Sequence, residues 1–549
     1  MELLEAKLKK AFLEALNKIA PNNLKENDII IEIPKDNKNG DYASNVALKN
    51  SKTLQLKPRD LALKIQEVFD YAGVNVEKIE IAGPGFINLF MNKENLAASI
   101  SAIIDLKDDY GQWPLQEHPR INVEYVSANP TGDLHLGHAR QACLGDSITR
   151  MYKKAGFNVI SEYYINDAGK QIDNLAKSVI CRYHQLFDIA SEMPNDGYHG
   201  QDIKDIALLI KNLVNDKYLH DGSAEAYQYF KKTALQFELD KLKRDLKDFN
   251  VEFDIWTSEQ KLYDEDKVNI ALTILKNRGA TYEKDGALWL KSKDYGDDKD
   301  RVLIKKDGCL TYLMPDIANH MQKLENGADF MVDLWGADHH GYIKRMKIAL
   351  EIFTGKKNLL DVDIVQMVRL IKEGVEVKMS KRSGNAIGLR ELCEEVGNDA
   401  VRYFFASRAG SSHFDFDLGL ATSQSNDNPV YYAQYAHARI CSILALADEL
   451  TIQDLDAALL NNNKEIGLIK HINDFPNVIM DAAKQRAPHR MTNYIHKLAS
   501  LFHSYYNECK VIDKANMPLT SARVHLLKAC KITLANALAL IGIKAVDKM

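Results

Sequence analysis

The sequence predicts a multidomain α/β protein: a parallel-sheet core carrying a helical insertion, an α+β unit ahead of it and an all-α unit behind it. Three observations carry this. The apolar alternation Ile121-Asn122-Val123-Glu124-Tyr125-Val126 reads as a strand; after an Asn129-Pro130-Thr131-Gly132 turn comes a helical run from Leu136 to about Ala155. Residues 1 to about 110 mix a helical stripe with short strands. Residues 416 to 549 are helical in pattern, with Leu526, Leu527, Cys530, Leu534, Leu538 and Ile541 three or four apart. A chain of 549 residues has room for three or four domains.

In the first unit, Leu4, Leu8, Phe12, Leu16 and Ile19 form a helical stripe. Ile29-Ile30-Ile31-Glu32-Ile33 reads as a strand stopped by Pro34. Pro58 opens a helix with Leu61, Ile65, Val68 and Phe69 on one face. Ile79 to Asn88 reads as strand, Gly83-Pro84-Gly85 turn and strand. The core runs from 111 to 415. Within it, about 170–250 is helical and highly charged, including Lys241-Leu242-Lys243-Arg244-Asp245-Leu246-Lys247. Such a run is a solvated helical face, or a set of phosphate contacts.

Composition narrows the function classes. Hydrophobic content of 46% and charged content of 27% are ordinary for a soluble globular protein. A net charge of −5 gives no global basic field, so a nucleic-acid partner must be met by local patches. The longest weakly polar run, near Ile532 to Ile543, is too short and interrupted to span a bilayer. The first twenty residues carry Glu2, Glu5, Lys7, Lys9, Lys10 and Glu14 among apolar positions, an amphipathic helix rather than a signal peptide. Cysteines 143, 181, 309, 393, 441, 509 and 530 are scattered without a CxxC pair, which argues against a zinc ribbon or disulfide framework and for reduced thiols in a cytoplasmic protein.

Chemistry concentrates in two stretches. His135 and His138 sit three apart where a strand hands over to a helix, a place whose free N–H groups favour anions. Both imidazoles fall on one helix face, and Gly137 between them leaves room for a flat base against the backbone. Downstream, Lys378-Met379-Ser380-Lys381-Arg382-Ser383-Gly384 describes a basic loop. No Gly-x4-Gly-Lys-[Ser/Thr] run is present, so a P-loop is not supported. Asp338-His339-His340 lacks a distant third ligand, so no metal is assigned there.

The two stretches together, in this order, resemble the nucleotide-binding pair of class I aminoacyl-tRNA synthetases. Gly40-Asp41-Tyr42-Ala43-Ser44-Asn45 and Ala82-Gly83-Pro84-Gly85-Phe86-Ile87-Asn88 resemble the N-terminal domain peculiar to arginyl-tRNA synthetases. The series Asp254 to Glu259, Leu310 to Ala318, Val332 to Tyr342 and Asn428 to Arg439 resembles the bacterial enzymes of that family. The resemblance implies a Rossmann-like catalytic core at 111–415, an N-terminal domain at 1–110 that touches the D-loop corner of tRNA, and an anticodon-binding bundle at 416–549. It implies an arginine–tRNA ligase that forms arginyl-adenylate and pyrophosphate from ATP, then charges tRNA(Arg). His135, Gly137, His138, Lys378, Met379, Ser380 and Lys381 would bind ATP, with His135, His138, Lys378 and Lys381 catalytic. Tyr312, Asp316 and Glu259 would read the guanidinium, because arginine selection requires carboxylates that fork onto it. Asn129, Glu124 and His339 would hold the amino and carboxyl end. Magnesium is expected with ATP, zinc is not, and the family is usually monomeric. The competing readings are a class I ligase of other specificity, a non-catalytic tRNA-binding paralogue and a small-molecule nucleotidyltransferase.

Overall fold

The computed structural model describes residues 4–20, 24–25, 28–32, 34, 39–74, 76–91, 93–377 and 387–549. The chain begins with α1 (Leu4–Ile19), β1 (Ile31–Glu32), β2 (Tyr42–Ser44), α2 (Val46–Asn50), α3 (Pro58–Val68), β3 (Val76–Ala82), β4 (Phe86–Met91) and α4 (Lys93–Leu106). Its antiparallel sheet has the order β1-β2-β4-β3. The buried stripe Leu8, Phe12 and Leu16 packs with Leu61 and Ile65 of α3, which carries Pro58 at its first position as read from sequence. The strand expected over 29–33 is shorter: only Ile31 and Glu32 pair, with Ser44 and Ala43, and Ile33 lies outside the described residues.

The core opens with β5 (Arg120–Glu124), α5 (Leu136–Lys154) and β6 (Asn158–Ile165). The insertion follows as α6 (Lys170–Gln185), α7 (Gln201–Val214) and α8 (Ala224–Asp248), around its own apolar cluster of Val179, Tyr183, Ile206, Ile210 and Phe230. Then come β7 (Ile255–Ser258), α9 (Glu259–Asp264), α10 (Lys267–Asn277), the antiparallel strands β8 (Thr281–Lys284), β9 (Ala287–Leu290) and β10 (Arg301–Ile304), α11 (Leu313–Glu325), β11 (Phe330–Gly336), α12 (Ile343–Thr354) and β12 (Leu360–Val365). The main sheet is parallel throughout, in the order β12-β11-β5-β6-β7. From β5 the chain builds first to one side and then, at β11, to the other. That reversal opens a crevice beyond the carboxyl ends of β5 and β11, the place where open α/β sheets bind ligands.

Helix α5 lies hard against the end of β5. A Cβ at Gly145 would fall 2.2 Å from the Tyr125 ring, so only glycine permits this approach. Arg140, fully buried, donates to the carbonyls of Gln366, Ala409 and Ser412 at 2.8–2.9 Å, fixing α5 to the chain around β13 (Val368–Lys372). β13 pairs with β14 (Val375–Glu376) and, in parallel, with β15 (Phe414–Asp417), which follows α13 (Leu389–Val396) and α14 (Asn398–Ala406).

After α15 (Leu418–Thr422) the chain is helical: α16 (Pro429–Ala447), α17 (Asn463–Asn473), α18 (Phe475–Lys484), α19 (Pro488–Glu508) and α20 (Met517–Leu540). All six residues of the stripe from Leu526 to Ile541 are fully buried. Arg402 of α14, also fully buried, donates to Ile541 O at 2.8 Å and Phe249 O at 3.0 Å and pairs with Asp146 of α5; Gly542 packs flat against its guanidinium. Lys470 of α17 meets Asp41 of the first unit at 2.7 Å, so bundle and N-terminal unit touch directly. Among the described residues no helix is long and apolar enough to cross a membrane.

Candidate active site

His135 is the N-cap of α5. Its Nδ1 accepts from the backbone N–H of Gly137 at 3.0 Å and of His138 at 3.2 Å, the task that Ser, Asp or Asn usually performs. In the neutral ring the proton therefore sits on Nε2, leaving a donor free. The His135 and His138 rings stack at 3.5 Å between centroids and 19° between planes. Desolvation lowers the His135 pKa; burial, with His135 beside it, pushes His138 down to about 3. The pair therefore offers neutral N–H dipoles at a helix N-terminus rather than two positive charges. Gly137 has a different reason from the one read in sequence: an added Cβ would lie 2.9 Å from His135 Cε1, so the glycine accommodates the histidine ring.

The chain that follows the second motif returns to this point. Gly388 forms an isolated bridge with His135, and Leu389 N donates to Leu134 O at 2.8 Å. Lys378, Met379, Ser380 and Lys381 themselves lie outside the described residues.

The acidic candidates divide into two sets. Glu124, at the carboxyl end of β5, is buried against Lys323 of α11, Oε2 to Nζ 2.6 Å, and accepts from Asn319 at 3.2 Å and Ser127 at 2.9 Å. Lys323 also reaches Asp333 of β11 at 3.1 Å; Asp333 in turn meets His320 Nε2 at 2.9 Å. Burial opposes every charge here. The Lys323 ammonium and His320 nonetheless hold Asp333 down at about 2. Glu124 is thus neutralised within the protein, by a partner that the sequence reading did not assign.

Glu259 and Asp316 are the other set. Glu259 is the first residue of α9, capped by Ser258, and Asp316 lies in the first turn of α11. Both helices start at the carboxyl-end side of the sheet. Burial pushes Glu259 up to about 7, reinforced by Asp316 and Asp167. Burial also raises Asp316, against the Tyr342 phenol that donates to its Oδ2 at 2.6 Å. Burial, then Glu259 and Asp316, raises the Tyr164 and Tyr263 phenols, Tyr263 to about 12. Among the described residues neither Glu259 nor Asp316 forms an ion pair with a cation. The arrangement is two desolvated carboxylates ringed by phenols, with unspent affinity for a planar cation.

The remaining candidates stand at the rim. Tyr312 is the N-cap of α11, one turn from Asp316, with its side chain 82% exposed. Asn129 donates to Gln171 Oε1 of α6 at 2.7 Å. His339 lies exposed after β11, 3.4 Å from Asp338. Sequence reasoning missed Tyr342 as the Asp316 partner, and missed Lys323. The stripe Asp316, Asn319, His320 and Lys323 along one helix face was the available signal.

The Glu259 carboxyl predicts a pH dependence. A guanidinium stays protonated and needs both carboxylates ionised, so kcat/KM for its ligand rises with pH through about 7 and then levels off. Below that point binding releases a proton, readable by titration calorimetry in buffers of different ionisation enthalpy. A flat profile with no proton release would remove Glu259 from the site.

A crevice at a topological switch point, stacked imidazoles at the start of the first core helix and a carboxylate pair at the starts of α9 and α11 fit a class I aminoacyl-tRNA synthetase. The family model described as tRNA synthetases class I (R), catalytic domain, matches residues 99–405. Arginyl tRNA synthetase N terminal domain matches 6–91, and DALR anticodon binding domain matches 433–549. Curated arginine–tRNA ligases of Bacillus pumilus and Bacillus subtilis are 50% identical over 526 and 525 residues, each covering 95% of this chain and 94% of the relative. The Thermus thermophilus arginyl-tRNA synthetase structure shares the fold, with TM-score 0.76, 21% identity and 99% of each chain covered. The chain belongs to the arginyl-tRNA synthetase family.

Proposed function

We propose a division of labour among residues of this arginine–tRNA ligase. The chain activates L-arginine with ATP to arginyl-adenylate and pyrophosphate, then charges tRNA(Arg). In the first step the arginine carboxylate oxygen attacks the α-phosphorus and the bond to the β,γ-diphosphate breaks. Both reactants are anionic, so positioning and charge stabilisation supply the rate. His135 and His138, with Gly137 between them, hold ATP phosphates by neutral N–H donors; Lys378, Met379, Ser380 and Lys381 meet the leaving pyrophosphate, by resemblance to the family motif. Asp316 and Glu259 fork onto the guanidinium with Tyr312 one turn away, and Asn129 and His339 close on the amino and carboxyl end of arginine from the rim. Glu124 acts through Ser127 and Asn319. The observation that carries the arginine site is the unpaired, desolvated Glu259–Asp316 couple. Lysine cannot offer the same fork, so selectivity arises without editing.

Magnesium accompanies ATP, since phosphates and waters supply most of its ligands. The likeness of the matched ranges supports domains at 1–110, 111–415 and 416–549. The enzyme is read as a cytoplasmic monomer.

The test is ATP–pyrophosphate exchange with each of the twenty amino acids, with and without tRNA. Exchange confined to arginine is expected, and His138→Ala lowers kcat by about 10²–10³-fold. Exchange with another amino acid would overturn the roles given to Asp316 and Glu259; an unchanged His138→Ala would overturn that of the histidines.

A further inference from the structure

We infer that helix α8 of the insertion sets the chain just before His135 and the chain from Gly388 onward in register, with Lys241 and Asp245 as its positioning residues. The two lie four apart and share a face. Both are largely buried. Lys241 Nζ contacts Glu238 at 3.0 Å and Asp202 at 3.3 Å inside the insertion, and Asp133 Oδ1 at 3.0 Å outside it. Asp133 stands two residues before His135, in the irregular link between β5 and α5. Asp245 accepts from Arg390 Nε at 3.1 Å. Arg390 stands two residues after Gly388, the residue whose backbone bridges His135. One helix face thus grips the chain just before the first histidine and the chain just after the second motif. Its far end is tied in as well, where Asn398 donates to Asp248 O.

The physical need is plain. The β5–α5 link is held by the isolated His135–Gly388 bridge and the Leu389–Leu134 hydrogen bond rather than by a ladder, so the side-chain contacts on either side of them help fix where His135 stands, and a misplacement of about 1 Å in such a group costs up to about 10²-fold in rate. Buried charges such as Lys241 and Asp245 are costly without partners, and each has one outside the insertion, Asp133 and Arg390 respectively. The insertion is therefore a splint across the adenylation site as well as a charged surface. A load on its outer face, such as a nucleic-acid strand, would reach Asp133 and Arg390, on either side of the His135–Gly388 bridge, through these two contacts.

This rests on His135 and His138 contacting ATP, and the experiment separates the two ideas. Exchange kinetics are measured on full-length Asp133→Asn, Arg390→Gln, Asp202→Asn and His138→Ala. Asp133→Asn and Arg390→Gln are expected to lower kcat/KM for ATP about tenfold while the arginine KM stays at the wild-type value. Asp202→Asn, which cuts only a contact inside the insertion, stays at wild type. The charge-reversed pair Asp245→Arg with Arg390→Asp recovers part of the loss of either single change. Wild-type kinetics in both Asp133→Asn and Arg390→Gln, or equal shifts in the KM of ATP and arginine, would overturn the inference while a slow His138→Ala left the ATP site standing. An unimpaired His138→Ala would remove the ATP site, and this inference with it.

Discussion

Asp316→Asn is expected to lose arginine activation, with kcat/KM for arginine down by about 10²–10⁴-fold and the KM for ATP nearly unchanged. The size follows from cutting a desolvated ion pair on one side, which costs about 3–5 kcal/mol. Asparagine keeps the shape of the side chain and an oxygen for the Tyr342 hydroxyl, so the change removes charge and little else. In the free enzyme the same change relieves repulsion with Glu259, which already sits near 7. Thermal unfolding should therefore show a Tm no lower than wild type. A folded Asp316→Asn enzyme that activates arginine normally would place the guanidinium elsewhere.

Lys323→Met should be the most destabilising single change near the site. It strands Glu124 and Asp333, both buried, without their shared ammonium. Breaking a buried ion pair on one side costs about 3–5 kcal/mol, and in a domain of this size that lowers Tm by roughly 6–20 °C. Burial already raises the Glu124 pKa, so acidification lets that carboxyl take up a proton and returns part of the stability. Calorimetry across pH reads both effects. A Tm within a degree of wild type at neutral pH would show that the buried network is not needed for the fold.

How much of this was legible in the sequence depended on how local the signal was. The strand-to-helix handover at 121–155 and the stripe from Leu526 to Ile541 are periodic, and the structure has both where the periods place them. Glu259 and Asp316 were nameable only through a family pattern; their meeting depends on α9 and α11 starting at the same end of one sheet. Lys323 beneath Glu124 and Tyr342 upon Asp316 are pairings between different elements, the first of them across nearly two hundred residues. No periodicity encodes them. The reason for Gly137 was misread because the neighbour that excludes a side chain is the histidine two positions earlier, folded back as a cap.

The buried guanidinium of Arg402 has a consequence for how the protein is made. It is enclosed by Ile541 and Gly542, which leave the ribosome long after Arg402 and the whole sheet. Domains otherwise tend to fold as they emerge, first-made first. Here helix α14 carries an unsheathed cation against Asp146 and Phe249 until the helices behind it have been translated. The catalytic part is therefore not a portable module. Expressed alone, it would present that open socket to solvent and to its neighbours, and its folding is timed by the arrival of Ile541 and Gly542.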